Sequence, residues 1–203
     1  MKKFNSKKIV TMGLAAIMAV SAMSMSAFAA TDSINTFNTE AAEVDGIFVP
    51  ADAPVGTEYD LGSGLKYVVI DDSEFDKIAA DAQRDAMLFS TKNVISIQDL
   101  SLKGKLYDES FSLNSTYKYF HVAMCNNQEP GIVTTIFVFN PDGDLIDYVD
   151  VEGNGAAGNK GWIYSTSPFS AGTYKARFSS SYKMAGSAYG KTGTTAADVV
   201  YSD

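Results

Sequence analysis

The sequence predicts a mainly β fold, an antiparallel β-sandwich of jelly-roll or immunoglobulin-like type with about seven to eight strands, preceded by one amphipathic helix. Two patterns indicate it. From Val94 onward, apolar and polar residues alternate with a period of two, and turn residues recur about every 8 to 12 positions. Before Val94, residues 74–89 have their apolar residues at helical spacing.

The first 29 residues have the order of a cleavable secretory signal peptide. Four lysines within residues 2–8 precede an apolar run, Ile9–Val20, and Ala27-Phe28-Ala29 then supplies the small residues that signal peptidase requires. The run is shorter than the roughly 20 residues that span a bilayer. We therefore expect a secreted or cell-surface protein without stable membrane insertion after cleavage.

Charge limits the partners of the mature chain. Loss of four of the 16 basic residues, and of no acid, would leave 12 basic against 24 acidic residues, a net charge of −12. Such a surface repels nucleic acid, so we expect no nucleic-acid partner and consider a glycan or a surface protein instead. Cys125 is the single cysteine, which excludes an intramolecular disulfide.

The predicted elements follow in chain order. Residues 30–64 read as a flexible leader and a turn-rich segment, because they are polar and rich in Pro and Gly. Residues 65–93 contain a short strand, 65–70, and an amphipathic helix, 74–89, for which Ser73 is the predicted N-cap. Residues 183–203 form a Gly/Ala/Thr-rich tail with a potential last strand.

The sandwich itself is predicted over residues 94–182. Its strands are expected near 94–102, 105–113, 117–125, 132–140, 144–151, 161–166, 172–180 and, weakly, 195–201. In strand 172–180 the period of two directs Tyr174, Ala176 and Phe178 to the core. Strand 132–139 is apolar or Thr throughout, which is typical of a central strand covered on both faces, and residues 140–143 (Asn-Pro-Asp-Gly) predict a tight turn.

Three segments resemble the bacterial pre-peptidase C-terminal domain: Phe120-His121-Val122, Ile136–Gly143 and Pro168–Tyr174. The resemblance covers residues 110–180. It implies a compact sandwich that accompanies exported proteins in a non-catalytic binding or accessory role, and it assigns no active site. The sequence departs from the family pattern because its 203 residues stand without a peptidase domain and continue past Tyr182 into the tail.

Aromatic residues beside polar ones suggest a binding surface, because sugar rings stack on exposed Trp or Tyr next to hydrogen-bonding side chains. The predicted ligand-binding residues are Trp162, Tyr164, Tyr148, Asp147 and Asp150. The alternative for Trp162 is that it fills the core, as a single Trp in a sandwich commonly does.

A calcium site is the one cofactor site that the sequence suggests. Asp142, Asp144 and Asp147 offer hard oxygen ligands around the predicted turn, although their spacing is not that of an EF-hand. The alternative is a plain turn with solubilising acids.

Enzymatic chemistry receives less support. His121 is the only histidine and Cys125 lies four residues along the same predicted strand, about 13 Å away, so a Cys–His dyad does not form. We therefore expect a non-catalytic binding module. Two alternatives stay open: a small glycoside hydrolase that uses two carboxylates, and a structural or self-associating surface component with open edge strands. The acids available for the hydrolase are Glu109, Glu129, Glu152, Asp147 and Asp150.

Overall fold

The computed structural model describes residues 46–88, 94–95 and 99–199, which form a sandwich of two β-sheets. The described strands are β1 (Ile47–Val49), β2 (Glu58–Gly62), β3 (Leu65–Val69), β4 (Val94–Ile95), β5 (Leu106–Leu113), β6 (Tyr119–Asn126), β7 (Val133–Phe139), β8 (Leu145–Glu152), β9 (Asn159–Ser165), β10 (Gly172–Ser180) and β11 (Gly186–Gly193). The α-helix in these residues, α1, spans Asp72–Leu88, and short 3-10 helices occupy Leu100–Leu102, Gly155–Ala157 and Ala196–Val199. The predicted fold class, a mainly antiparallel sandwich with one amphipathic helix, is confirmed.

The strands divide into two sheets of different composition. Sheet I has the order β1-β8-β7-β10-β5, and sheet II has the order β2-β3-β9-β6-β11-β4. All pairs are antiparallel except β1 with β8, which is parallel. The strands described number eleven, more than the seven to eight predicted. β3 is the strand predicted at 65–70 ahead of the helix, and β1 and β2 are additional strands that precede it.

The main core lies between the two sheets and follows the predicted period of two. In β10, Tyr174, Ala176 and Phe178 are 3%, 0% and 0% exposed, as predicted. Their neighbours Lys175 and Arg177 point to the outside of sheet I and are partly exposed. β7 is the middle strand of sheet I, as expected for an apolar strand.

Helix α1 covers the outer face of sheet II with a second apolar cluster. Phe75, Ile78 and Ala82 are buried there against residues of the sheet that include Ala123 and Trp162. The helix begins two residues earlier than predicted, and Asp71 caps it rather than Ser73. Asp71 Oδ1 accepts the Glu74 N–H at 2.8 Å, and Glu74 Oε2 accepts the Asp71 N–H at 3.4 Å, a reciprocal capping box.

The predicted turn between β7 and β8 is confirmed. Gly143 N–H donates to Asn140 O at 3.1 Å, and Gly143 adopts φ of +90°, a conformation that glycine accepts without strain. Pro141 occupies the position where its fixed φ suits the turn.

Strand β11 is formed by residues that composition assigned to the tail. Its small residues allow close approach, since a Cβ added at Gly190 would overlap the backbone oxygen of His121 in β6. The strand predicted weakly at 195–201 is wrong over 196–199, where a 3-10 helix lies. Asp198 stabilises that helix by accepting the N–H groups of Thr194 and Thr195 at 2.8 and 2.7 Å. Residues 200–203 lie outside the described residues.

Two further boundaries change. The strand predicted at 94–102 holds at Val94–Ile95, while Leu100–Leu102 forms a 3-10 helix because Asp99 Oδ1 accepts the Ser101 N–H at 2.8 Å. Within the predicted leader, residues 46–64 contribute β1 and β2. The predicted signal peptide, leader residues 30–45, residue 89 of the predicted helix and residues 96–98 lie outside the described residues.

No helix among the described residues is both long and apolar enough to cross a membrane.

Candidate ligand-binding face

Trp162 and Tyr164, two of the five predicted ligand-binding residues, lie beneath α1 rather than on a surface. Both belong to the cluster between sheet II and the helix, and they are 3% and 8% exposed. The Trp162 ring centroid lies 5.4 Å from that of His121 and 6.0 Å from that of Tyr164. Trp162 therefore fills a core, which was the alternative interpretation of this residue.

The hydroxyl of Tyr164 is used within the fold. It donates to Glu58 Oε1 at 3.1 Å, and burial together with that carboxylate raises the pKa of Tyr164 to about 12. Glu58 also accepts from Lys66 Nζ at 3.0 Å.

Asp147 points into the sandwich. In β8, Asp147, Val149 and Val151 share the inner face, and Asp147 is 2% exposed. Its Oδ1 accepts the Tyr148 N–H at 2.8 Å. Burial raises the pKa of Asp147 to about 6, and the nearby carboxylate of Asp60 acts in the same direction. A ligand on the outside of the sheet does not reach this carboxyl group.

The acids of the predicted calcium site are divided by the strand. Asp142 and Asp144 are exposed in the β7–β8 turn, where Asp144 exchanges hydrogen bonds with Asn140, while Asp147 is turned inward. In the part of the chain that the structure describes, no three Asp, Glu, His or Cys side chains come together in a group able to hold a metal ion. The three acids of the predicted calcium site therefore do not form one site in these residues.

Tyr148 and Asp150 come together on the outer face of sheet I. The Tyr148 ring centroid lies 5.5 Å from that of Phe137 on β7, and Thr135 Oγ1 donates to Asp150 Oδ1 at 2.5 Å. Burial raises the pKa of Asp150, although the bond from Thr135 opposes this. Gly46 lies against the Tyr148 ring, since a Cβ added there would overlap it. The structure thus keeps two of the five predicted residues on one surface.

Phe137 and Phe139 extend this surface, although the sequence did not predict them as ligand-binding residues. We expected both faces of β7 to be covered. Sheet II covers the inner face of β7. The phenyl rings on the outer face are only partly buried, and the strands on which α1 packs belong to sheet II. The sequence signal was the presence of apolar residues or Thr at every position of β7, a pattern that an uncovered aromatic face also produces.

A charged cluster borders these rings. Arg177 donates to Asp108 through both Nε and Nη2, at 2.6 and 2.8 Å, and Lys175 Nζ lies 3.3 Å from the same carboxylate. The Arg177 guanidinium lies over the Phe139 ring, 5.2 Å from its centroid. The hydrogen bond from Arg177 is the largest cause that lowers the pKa of Asp108, and Lys175 acts in the same direction.

The strand register arranges these side chains in rows across sheet I. One row runs Asp108, Arg177, Phe137, Tyr148, on β5, β10, β7 and β8. Because neighbouring strands are about 4.8 Å apart, the row is about 14 Å long. A parallel row places Ser110, Lys175 and Phe139 side by side. We call the surface formed by these two rows, with Thr135 and Asp150, the aromatic face.

His121 and Cys125 are both on β6, whose pairing with β11 has no register shift between them, so the excluded dyad is not rescued by a bulge. His121 Nδ1 donates to Val199 O at 2.9 Å, and burial lowers the pKa of His121 to about 3. Cys125 Sγ donates to Asn127 Oδ1 at 2.7 Å, and burial raises the pKa of its thiol.

The acids considered for hydrolysis are distributed over both faces of sheet I, and Asp150 and Glu152 share the outer face of β8, two residues apart. Asp147 and Asp150 lie on opposite faces of β8. Glu152 accepts the N–H groups of Ala51 and Gly131 at 3.0 and 2.7 Å, and Glu109 accepts from the Tyr107 hydroxyl. Glu129 is exposed in the β6–β7 connection.

A cleft of about 490 Å³ lies at the N-terminal end of α1, and none of the predicted site residues lines it. Its lining combines apolar residues such as Val69 and Ile70 with Asp72 and Lys160, which form an ion pair at 2.8 Å.

Comparison of the chain with protein-family models and with curated proteins finds no match.

Proposed function

We propose that this chain is an exported, non-catalytic module that binds a glycan through the aromatic face. The observation that carries the proposal is the grouping of Tyr148, Phe137 and Phe139 on the outer side of sheet I. Apolar rings on a solvent-facing sheet offer stacking surfaces for the C–H faces of sugars. Such a surface is otherwise unfavourable for an isolated soluble domain.

Polar groups beside the rings supply the second requirement of a sugar site. Asp150, Thr135 and Asp108 carry hydrogen-bond acceptors and a hydroxyl within the same or the neighbouring row. Sugars need such groups for orientation, because stacking alone does not select among them. The resemblance to accessory sandwich domains of exported proteins agrees with this role.

The environments of His121 and Cys125, the two residues considered for nucleophilic catalysis, support the non-catalytic part of the proposal. His121 is neutral, buried and bonded to Val199 O, and the thiol of Cys125 has a raised pKa. Neither group has the exposed, activated character that nucleophilic catalysis needs.

Binding to a panel of soluble polysaccharides, followed by affinity gel electrophoresis and calorimetry, tests the proposal. We expect Tyr148→Ala to weaken binding of the retained polysaccharide about tenfold or more, because an aromatic stacking partner is lost. Tyr182→Ala is the matched control, since Tyr182 is a tyrosine 60% exposed outside the aromatic face. Far-UV circular dichroism checks that both variants fold.

Equal losses in Tyr148→Ala and Tyr182→Ala would contradict a site on the aromatic face. Failure of every polysaccharide to bind the wild-type chain would contradict a glycan ligand, and binding of a purified surface protein in its place would turn the assignment to a protein partner.

A further inference from the structure

The charged cluster on the aromatic face has an excess of positive charge. Lys175 and Arg177 share the single carboxylate of Asp108, so the three groups carry a formal net charge of +1. The whole chain has a net charge of −8, which makes a local positive excess beside aromatic rings unusual for its surface. The Lys175 side chain is 40% exposed, so its ammonium group is accessible to a ligand.

The cations and the rings are one strand apart. Lys175 pairs with Phe139 across β10 and β7, and Arg177 pairs with Phe137 in the same way. The backbones of each pair are thus about 4.8 Å apart, and the Arg177 guanidinium extends over the Phe139 ring, 5.2 Å from its centroid. A ligand that lies flat on a phenyl ring can therefore present a substituent to the adjacent cation.

We infer that the aromatic face selects glycans that bear carboxylate groups, such as polymers of uronic acids. The sugar ring stacks on Phe137, because the Arg177 guanidinium already lies over the Phe139 ring. The carboxylate of the sugar binds Lys175 and the part of Arg177 not used by Asp108. Charge complementarity supports this class over neutral sugars, because a neutral ligand would leave the positive excess uncompensated. This inference rests on the proposed function and adds the ligand class.

The surrounding acids restrict where the carboxylate can sit. Asp142 and Asp144 lie in the turn that ends β7, and Asp150 lies in a neighbouring row on the far side of Arg177. These groups repel an anionic ligand at the β7–β8 turn and beside Thr135, on either side of the two cations. A carboxylate-bearing polymer is therefore held in one position along the rows. Its carboxylate lies over β10, and the apolar face of its ring lies over β7 and β8.

The test compares polymers that differ in charge alone. The full chain is titrated by calorimetry with polygalacturonate, alginate and hyaluronan, and with the methyl ester of each, which keeps the sugar rings but removes the carboxylate charge. We expect at least one acid polymer to bind about tenfold or more tightly than its ester, with the difference falling as NaCl is raised.

Variants then locate the effect. Lys175→Gln is expected to remove the preference for the acid form, while Lys175→Arg retains it. Lys66→Gln is the matched control, because Lys66 is also a strand lysine paired with an acid, Glu58, but lies on sheet II. It should leave the preference unchanged.

Binding of each acid polymer and its ester with equal affinity would overturn the inference and leave the proposed function standing. The same holds if neutral polysaccharides bind and none of these acid polymers does, or if Lys66→Gln abolishes the preference as fully as Lys175→Gln. Absence of binding to any polysaccharide, neutral or acidic, would instead remove the proposed function itself.

Discussion

Asp147 is an acid that the fold holds in an unfavourable environment. It faces the sandwich interior from β8, close to the Gly62 end of β2, and its pKa is raised from 3.8 to about 6. Between these two values the folded state binds a proton that the unfolded state does not. Above about pH 6 the carboxyl group is ionised in both states, and burying its charge lowers the free energy of unfolding.

Asp147→Asn should therefore stabilise the protein at neutral and alkaline pH. We expect the free energy of unfolding to rise on the order of 1 kcal/mol at pH 8, because an amide can still accept the Tyr148 N–H without a charge. The gain should vanish near pH 4, where the Asp147 carboxyl group is protonated in the folded state. Urea unfolding at the two pH values measures it. Asp142→Asn, in the exposed turn, is the control. An equal gain in stability of Asp147→Asn at both pH values would show that burial of the charge is not the cause.

At the scale of elements, the start of α1 gives a direct comparison between the predicted and the observed cap. Asp71→Ala removes the bond to the Glu74 N–H and should lower the free energy of unfolding by about 1 kcal/mol. Ser73→Ala, at the predicted cap, should change it by less than about 0.5 kcal/mol, because Ser73 lies inside the helix and is exposed. Thermal melts followed by circular dichroism measure both. The reverse ranking would restore Ser73 as the cap.

Elements that depend on local chemistry could be predicted from the sequence. The turn at residues 140–143 is specified by its own Pro and Gly, and the inward residues of β10 follow from a period that needs no partner strand. Strand β11 could not be predicted in this way. Tyr189 and Thr192 favour a strand, but the Gly, Ala, Ser and Lys residues around them do not, and the segment is extended because β6 and β4 lie on either side.

Part of the candidate site could be predicted from the sequence, and the rest depends on contacts between distant segments. The sequence indicated that Tyr148 and Trp162 are aromatic residues in strands, but burial is decided by which sheet α1 covers. That choice depends on contacts between segments far apart in the chain. Lys175 and Arg177 were correctly directed outward by the period of two, whereas their position beside Phe139 and Phe137 requires the register of β10 with β7.

At the scale of the whole molecule, two buried groups on different sheets oppose each other as pH changes. His121 on sheet II has a pKa lowered from 6.5 to about 3, so on acidification the unfolded state gains a proton that the folded state does not. Acid therefore favours unfolding through His121 and favours folding through Asp147. Lys191 and Asp81 are the charged groups that act on His121, in opposite directions, and burial is the larger cause.

Between about pH 5.5 and 4.5 the two effects nearly cancel, because each state binds one proton that the other lacks. We expect the free energy of unfolding of the wild-type chain to be almost flat across this range. In Asp147→Asn it should fall on acidification by about 1.4 kcal/mol per pH unit, and in His121→Gln it should rise by a similar amount. Urea unfolding at half-unit pH steps measures the three slopes. Parallel curves for the three proteins would contradict the compensation, since they would mean that neither group changes its protonation on unfolding in this range.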